Sequence, residues 1–124
     1  MLFTGLEHTA IASPDPPRLV DWYVRTLGFR LDSEYGGNYF VAAPDGALLE
    51  IIPSEGPALE TGVRTPGLRH LAVKVSDFDA AYADLQAKGV HFVNAPFSTQ
   101  GNRLVHFHDG DGNLLHLIAR SVQS

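Results

Sequence analysis

Gly5-Leu6-Glu7-His8-Thr9-Ala10-Ile11 returns as Gly67-Leu68-Arg69-His70-Leu71-Ala72-Val73, 62 positions later. Asp45-Gly46-Ala47-Leu48-Leu49-Glu50-Ile51-Ile52 returns as Asp111-Gly112-Asn113-Leu114-Leu115-His116-Leu117-Ile118, 66 positions later. Self-similarity at such an offset is the mark of a duplicated structural unit. Each half opens on a strand that carries a histidine and closes on a strand that carries a second residue able to bind a metal. The repeat therefore matches His8 with His70 and Glu50 with His116. Two copies related by an approximate two-fold would bring these four side chains to one point.

The composition fits a folded domain and narrows the partners. At 124 residues, the chain is long enough for one domain with a core and too short for two independent ones. A formal charge of -5 argues against a nucleic-acid partner, because phosphate binding needs a basic surface. The chain has no cysteine, so disulfides, thiolate ligands and a cysteine nucleophile are excluded. No apolar run approaches the length of a membrane span, and no leader pattern precedes the first strand. A cytoplasmic protein that does not contact membrane is expected.

Working outward from the repeats, Leu6 to Ala12 reads as a strand. Ser13-Pro14-Asp15-Pro16-Pro17 reads as a helix start, with a capping side chain followed by prolines tolerated in the first turn. Leu19, Trp22, Tyr23 and Leu27 follow at helical spacing, and Gly28 stands where a helix ends in positive φ. Strands are expected over Phe29 to Tyr35, Tyr39 to Ala43 and Ala47 to Pro53, separated by the turns Gly36-Gly37-Asn38 and Pro44-Asp45-Gly46. Residues 54–66 hold two prolines and two glycines without apolar period and read as a linker. The plan then repeats. Leu68 to Val75 is a strand, and Asp77 caps a helix that presents Phe78, Ala81, Tyr82 and Leu85 and ends at Gly89. Strands follow at Val90 to Val93, Arg103 to His108 and Leu114 to Ala119. The expectation is one domain, residues 1–124, made of two βαβββ modules (about 1–53 and 67–124).

Strand alternation sorts the chemistry-bearing residues. His8 shares a face with Leu6, Ala10 and Ala12, and His70 shares one with Leu68, Ala72 and Lys74. Small neighbours beside both histidines leave room for a cavity. A lone histidine in an apolar strand is usually a hydrogen-bonded core residue. Glu50 is harder to explain that way, since a carboxylate among Leu48, Leu49, Ile51 and Ile52 is costly unless paired or metal-bound. Imidazole and carboxylate together suit a divalent transition metal. Lys74 is a candidate for pairing with an anionic substrate, and Arg103 a candidate at the cavity mouth. His106 and His108 alternate with Leu104 and are assigned a surface or helix-facing role; His91 is read as incidental. Asp109, Asp111 and Asn113 are read as a turn, because the run lacks the distal glutamate of a calcium loop.

The patterns His8-Thr9-Ala10-Ile11, Trp22-Tyr23 before Leu27-Gly28-Phe29, His70-Leu71-Ala72-Val73-Lys74-Val75-Ser76-Asp77 and Phe107-His108-Asp109-Gly110-Asp111-Gly112-Asn113 resemble the vicinal oxygen chelate superfamily. That group includes glyoxalase I, extradiol dioxygenases, methylmalonyl-CoA epimerase, fosfomycin-resistance enzymes and bleomycin-resistance proteins. The resemblance covers nearly the whole chain. It implies an α+β fold in which paired βαβββ modules form a curled mixed sheet around a metal-containing cavity. It places the metal ligands at His8, Glu50, His70 and His116. The cofactor it implies is a divalent transition metal: zinc, nickel, iron, manganese or cobalt.

Two departures from the family shape the expected function. The last ligand position is usually glutamate and here is His116, so Glu50 is left as the carboxylate that moves protons. Bacterial glyoxalase I also holds glutathione with an arginine and an asparagine, and the matching residues here are Ala12 and Ser54. The expectation is therefore a small metal-dependent isomerase, epimerase or lyase. It would act on a small oxygen-chelating substrate through a metal-stabilised enediolate, independently of glutathione. An extradiol-type dioxygenase and a non-catalytic binding protein of the bleomycin-resistance kind are the alternatives. Relatives of this length imply a homodimer, with His8 and Glu50 of one chain meeting His70 and His116 of its partner; pairing of the two modules within one chain would bring together the same four ligands.

Overall fold

The computed structural model describes residues 1–58 and 62–120. The chain forms two compact units, Met1–Ala58 and Leu59–Ser124, and each is a βαβββ module. The division falls within the stretch expected to be a linker, of which residues 59–61 lie outside the described residues. Among the described residues, no helix is long and apolar enough to cross a membrane.

In the first unit, β1 (Thr9–Ser13) leads into α1 (Pro16–Leu27) and then β2 (Arg30–Tyr35), β3 (Asn38–Ala42) and β4 (Leu48–Pro53). The sheet order is β1-β4-β3-β2, with β1 parallel to β4 and the other pairings antiparallel. The helix begins as its sequence demands. The Asp15 side chain accepts from the Arg18 backbone N–H at 3.3 Å, and prolines fill the first two positions, where no helical donor is needed. It ends on Gly28 at φ 73°, which lets the N–H groups of Gly28 and Phe29 return to the carbonyls of Val24 and Tyr23. Leu19, Val20 and Tyr23 of α1 are buried, as are Val41, Leu49 and Ile51 of the sheet. Glu50 alternates with the last two and so faces away from the helix.

The second unit repeats this topology. Its elements are β5 (His70–Lys74), α2 (Phe78–Ala87), β6 (Phe97–Thr99), β7 (Asn102–His108) and β8 (Leu114–Ala119), in the sheet order β5-β8-β7-β6. Asp77 caps α2 by accepting from the Ala80 N–H at 3.1 Å. Phe78 and Leu85 are buried, as are Val105, Phe107, Leu115 and Leu117.

Three strands differ from expectation by more than one residue at their start. Rather than at Leu6 and Leu68, the opening strands start at Thr9 and His70, where the parallel pairing begins opposite Leu49 of β4 and Leu114 of β8. The strand expected at Val90 to Val93 is instead a short bridging segment. Phe92 pairs with Phe107, Val93 N–H donates to the His106 carbonyl, and His108 N–H donates to the His91 carbonyl. Beyond it, the Asn94 side chain takes the His106 backbone N–H that a strand carbonyl would otherwise accept, and Pro96 has no N–H for a ladder. The edge strand β6 therefore forms later, at Phe97, and turns back into β7 through Gln100, at φ 52°.

Candidate functional site

Each unit assembles one pair of ligand-type residues by the same diagonal. In the first unit Ala10 lies opposite Glu50 across the parallel pairing, and His8 stands two residues before Ala10. In the second, Ala72 lies opposite His116, and His70 stands two residues before Ala72. The sequence repeat is thus a repeat of register.

In the first pair, His8 Nε2 is 3.3 Å from Glu50 Oε1. The other ring nitrogen, Nδ1, is 2.6 Å from Glu7 Oε1. Two carboxylates therefore hold one imidazole. The Glu7 hydrogen bond, helped by the charge of Glu50, raises the His8 pKa above its ordinary value. The Glu50 side chain is only 19% exposed. Phe40, directly opposite Glu50 on β3, meets the His8 ring edge-on with centroids 5.2 Å apart, and Tyr35 meets Phe40 in turn. An aromatic wall therefore borders the pair.

In the second pair, the His70 and His116 rings lie 4.5 Å apart. His116 is 5% exposed, and its Nδ1 donates to the Leu117 carbonyl at 3.2 Å. Burial lowers its pKa. A third histidine joins them. His106 is directly opposite His116 on β7, with ring centroids 5.2 Å from His116 and 6.3 Å from His70. Burial, reinforced by His70, lowers the His106 pKa as well. The expected surface or helix-facing role for His106 is therefore corrected: it shares the face of the histidine pair, while Val105 and Phe107 alternate onto the buried side.

The remaining candidates fall elsewhere. Lys74 is exposed on the His70 face, at the far end of β5. Arg103 is engaged with α2: its guanidinium lies 4.4 Å from the Phe78 ring centroid and donates to Asp79 at 2.8 Å. It alternates with Leu104 and His106, so its side chain leaves the sheet on the side opposite the histidines. His91 is not incidental to its surroundings, since its Nδ1 is 2.9 Å from His108 Nδ1 and one of these rings must donate to the other. Asp109 orders the turn as expected, accepting from the backbone N–H groups of Asp111 and Asn113 and from the Asn113 amide. Among the described residues, no group of three or more His, Cys, Asp and Glu side chains is arranged to hold a metal ion. The four expected ligands come together as two pairs, one in each unit.

Sequence reasoning missed His106 and its companion Asn94, although a signal was present. The turn from Asp109 to Asn113 is centred on Asp111, so β7 and β8 residues equally distant from Asp111 face each other, as His106 and His116 do.

Two βαβββ units, each bringing a ligand-type pair together where its parallel strands pair, define a glyoxalase-like protein. The family model for the glyoxalase/bleomycin resistance protein/dioxygenase superfamily matches residues 5–117, and the chain belongs to that superfamily. It is 30% identical to the uncharacterised protein YwkD of Bacillus subtilis (strain 168), covering 90% of this chain and 93% of that one. Among solved structures, it is similar to a glyoxalase family protein from Enterococcus faecalis. That match has 28% identity and a TM-score of 0.81, covering 95% of this chain and 99% of the other. It is also similar to TnmS3, an antibiotic-binding protein from Streptomyces sp. CB03234, at 27% identity and a TM-score of 0.77, covering 98% and 99% of the two chains.

Proposed function

We propose that this protein is a small metal-dependent enzyme, working in the cytoplasm as an isomerase, epimerase or lyase on a small oxygen-chelating substrate, without glutathione. The observation that carries the reading is the 3.3 Å separation of His8 Nε2 and Glu50 Oε1, on a diagonal that His70 and His116 repeat. Two neighbouring ligands, each about 2.0–2.2 Å from one ion, stand roughly 3.0–3.5 Å apart, so the His8–Glu50 pair fits. The tautomers fit as well. With Nδ1 directed to Glu7 in His8, and to the Leu117 carbonyl in His116, each ring keeps Nε2 for a metal, as oriented ligand histidines do.

On this reading His8, Glu50, His70 and His116 hold one divalent transition metal, whether zinc, nickel, iron, manganese or cobalt. Bound there, the ion supplies Lewis acidity toward two substrate oxygens. Glu50 is the only carboxylate of the four, so it takes the proton from carbon next to a carbonyl and returns it to the product. Lys74, on the His70 face, is assigned to an anionic substrate group. Ala12 and Ser54 lack the charge and amide that would hold glutathione.

Metal analysis of the purified protein tests this. About one ion per four-ligand site is expected, falling by more than tenfold in Glu50→Gln and His116→Ala. A protein that purifies without metal and takes up none on dialysis against zinc, nickel or iron sinks the reading. A second reading, a non-catalytic small-molecule-binding protein, is favoured by the likeness to TnmS3. It predicts no metal uptake but retention of a flat aromatic ligand beside Phe40 and Tyr35.

A further inference from the structure

The clustered histidines of the second unit, His70, His106 and His116, are not equivalent, and hydrogen bonds say which ring nitrogen of two of them carries the proton. The His106 backbone N–H can only donate, and the atom of Asn94 that receives it, at 3.0 Å, must be the amide oxygen. This fixes the orientation of the amide, which diffraction alone often leaves ambiguous. The Asn94 nitrogen then faces His106 Nδ1 at 3.0 Å. An amide nitrogen only donates, so Nδ1 accepts, and the neutral ring carries its proton on Nε2. The opposite holds for His116, whose Nδ1 faces a carbonyl that can only accept. Two histidines in direct cross-strand register therefore present opposite chemistry: a lone pair on His116 Nε2 and an N–H on His106 Nε2.

Other contacts hold the His106 ring in place. Phe97 of β6 lies nearly parallel to it, at an interplanar angle of 8° with centroids 5.9 Å apart. Asn94 grips Nδ1, so Nε2 is on the far side of the ring from that amide. A neutral histidine with a proton on Nε2 cannot use that nitrogen as a metal ligand, but it can donate to an oxygen.

We propose that His106 is a substrate-binding donor, giving its Nε2–H to an anionic or carbonyl oxygen of a small molecule held beside His70 and His116, and that Asn94 is the positioning residue that sets this tautomer. The proposal rests on the reading of His70 and His116 as a ligand-binding pair. It adds a recognition element of opposite polarity beside them, and it explains why a third histidine stands at the site without being a ligand.

Long-range proton–nitrogen spectra of histidine-labelled protein, recorded without added metal at a pH where the rings are neutral, test the assignment. Wild-type His106 is expected as the Nε2–H form and His116 as the Nδ1–H form. Asn94→Asp keeps an acceptor for the His106 backbone and offers a second acceptor to Nδ1, so it should convert His106 to the Nδ1–H form. Zinc chloride should then shift His70 and His116 but leave His106 of the wild type in place, and oxalate should shift the His106 Nε2 resonance. Oxalate should bind about tenfold more weakly to Asn94→Asp, the loss of roughly one hydrogen bond. A wild-type His106 in the Nδ1–H form overturns the proposal, and so does a His106 resonance that oxalate fails to move. Zinc that leaves His70 and His116 unmoved defeats the metal reading instead, while the His106 assignment stands or falls on its own spectrum.

Discussion

The ligand-type histidines are pulled in opposite directions. In His8, two carboxylates favour the protonated ring, led by the Glu7 hydrogen bond. In His116 and His106, burial favours the neutral ring. A raised pKa means that His8 stabilises the fold fully below its ordinary value of 6.5, and that this contribution fades as pH rises through the raised value. His116 and His106 act with the other sign. Their contribution is complete above 6.5 and is lost as pH falls through their lowered values. In the metal-free chain, ring titration by NMR should therefore show His116 and His106 losing their protons at lower pH than His8. Glu7→Gln should bring His8 down toward its ordinary value; an unmoved His8 would contradict the assigned cause. At this scale the repeat made legible the pairing of His8 with Glu50 and of His70 with His116. The sequence was opaque at Asn94, whose role depends on a loop conformation that no periodicity announces.

The elements divide in the same way. Both helices are written into local chemistry, because a capping carboxylate and a terminal glycine act within a few residues of their own position. At Gly28, a Cβ would meet nothing within 4 Å, so substitution there tests backbone conformation alone. Gly28→Ala should cost about 1–2 kcal/mol, since a side chain disfavours the left-handed region, and Gly28→Asn should cost less. Asp77→Ala should remove about 1 kcal/mol through the lost cap. Urea denaturation measures both, and an unchanged midpoint for either would remove the cap from the account. The edge strand β6 was not legible. Val90 to Val93 has the composition of a strand, but its partner, β7, is met through a single bridge and then through a side chain. What decides a strand is the neighbour that completes its hydrogen bonds, and that neighbour lies outside the window in which composition is read.

At the scale of the whole molecule, Leu6 and Leu68 occupy equivalent places in the repeat, two residues before His8 and His70, and are 98% and 92% exposed. Met1, Leu2 and Phe3 are also exposed. We propose that a second chain covers this apolar surface, in a homodimer with shared ligands. Sedimentation at micromolar concentration should give twice the chain mass. Mixing His8→Ala with His70→Ala protein should restore metal uptake if the sites are shared, because a mixed dimer regains one complete set. If each chain supplies its own four ligands, every site stays defective and nothing returns. A monomer at that concentration would refute the dimer outright.

The parallel pairing that closes each sheet also orders events in time. The hairpin from β2 to β3 closes across Gly36-Gly37, whereas the pairing of Thr9 with Leu49 closes a loop that contains α1, β2 and β3. Contacts between distant positions bear the larger loop-closure cost and form late. In the first unit, β1 is therefore expected to dock last, bringing His8 beside Glu50 at the end of the reaction. Ile11→Val should leave the refolding rate nearly unchanged and speed unfolding, whereas Val41→Ala in β3 should slow refolding. Stopped-flow traces in urea would show the reverse pattern if β1 belonged to the nucleus. The groups expected to hold the metal would then become neighbours only in the final step, so a chain stalled before it would be folded over most of this unit and still unable to bind.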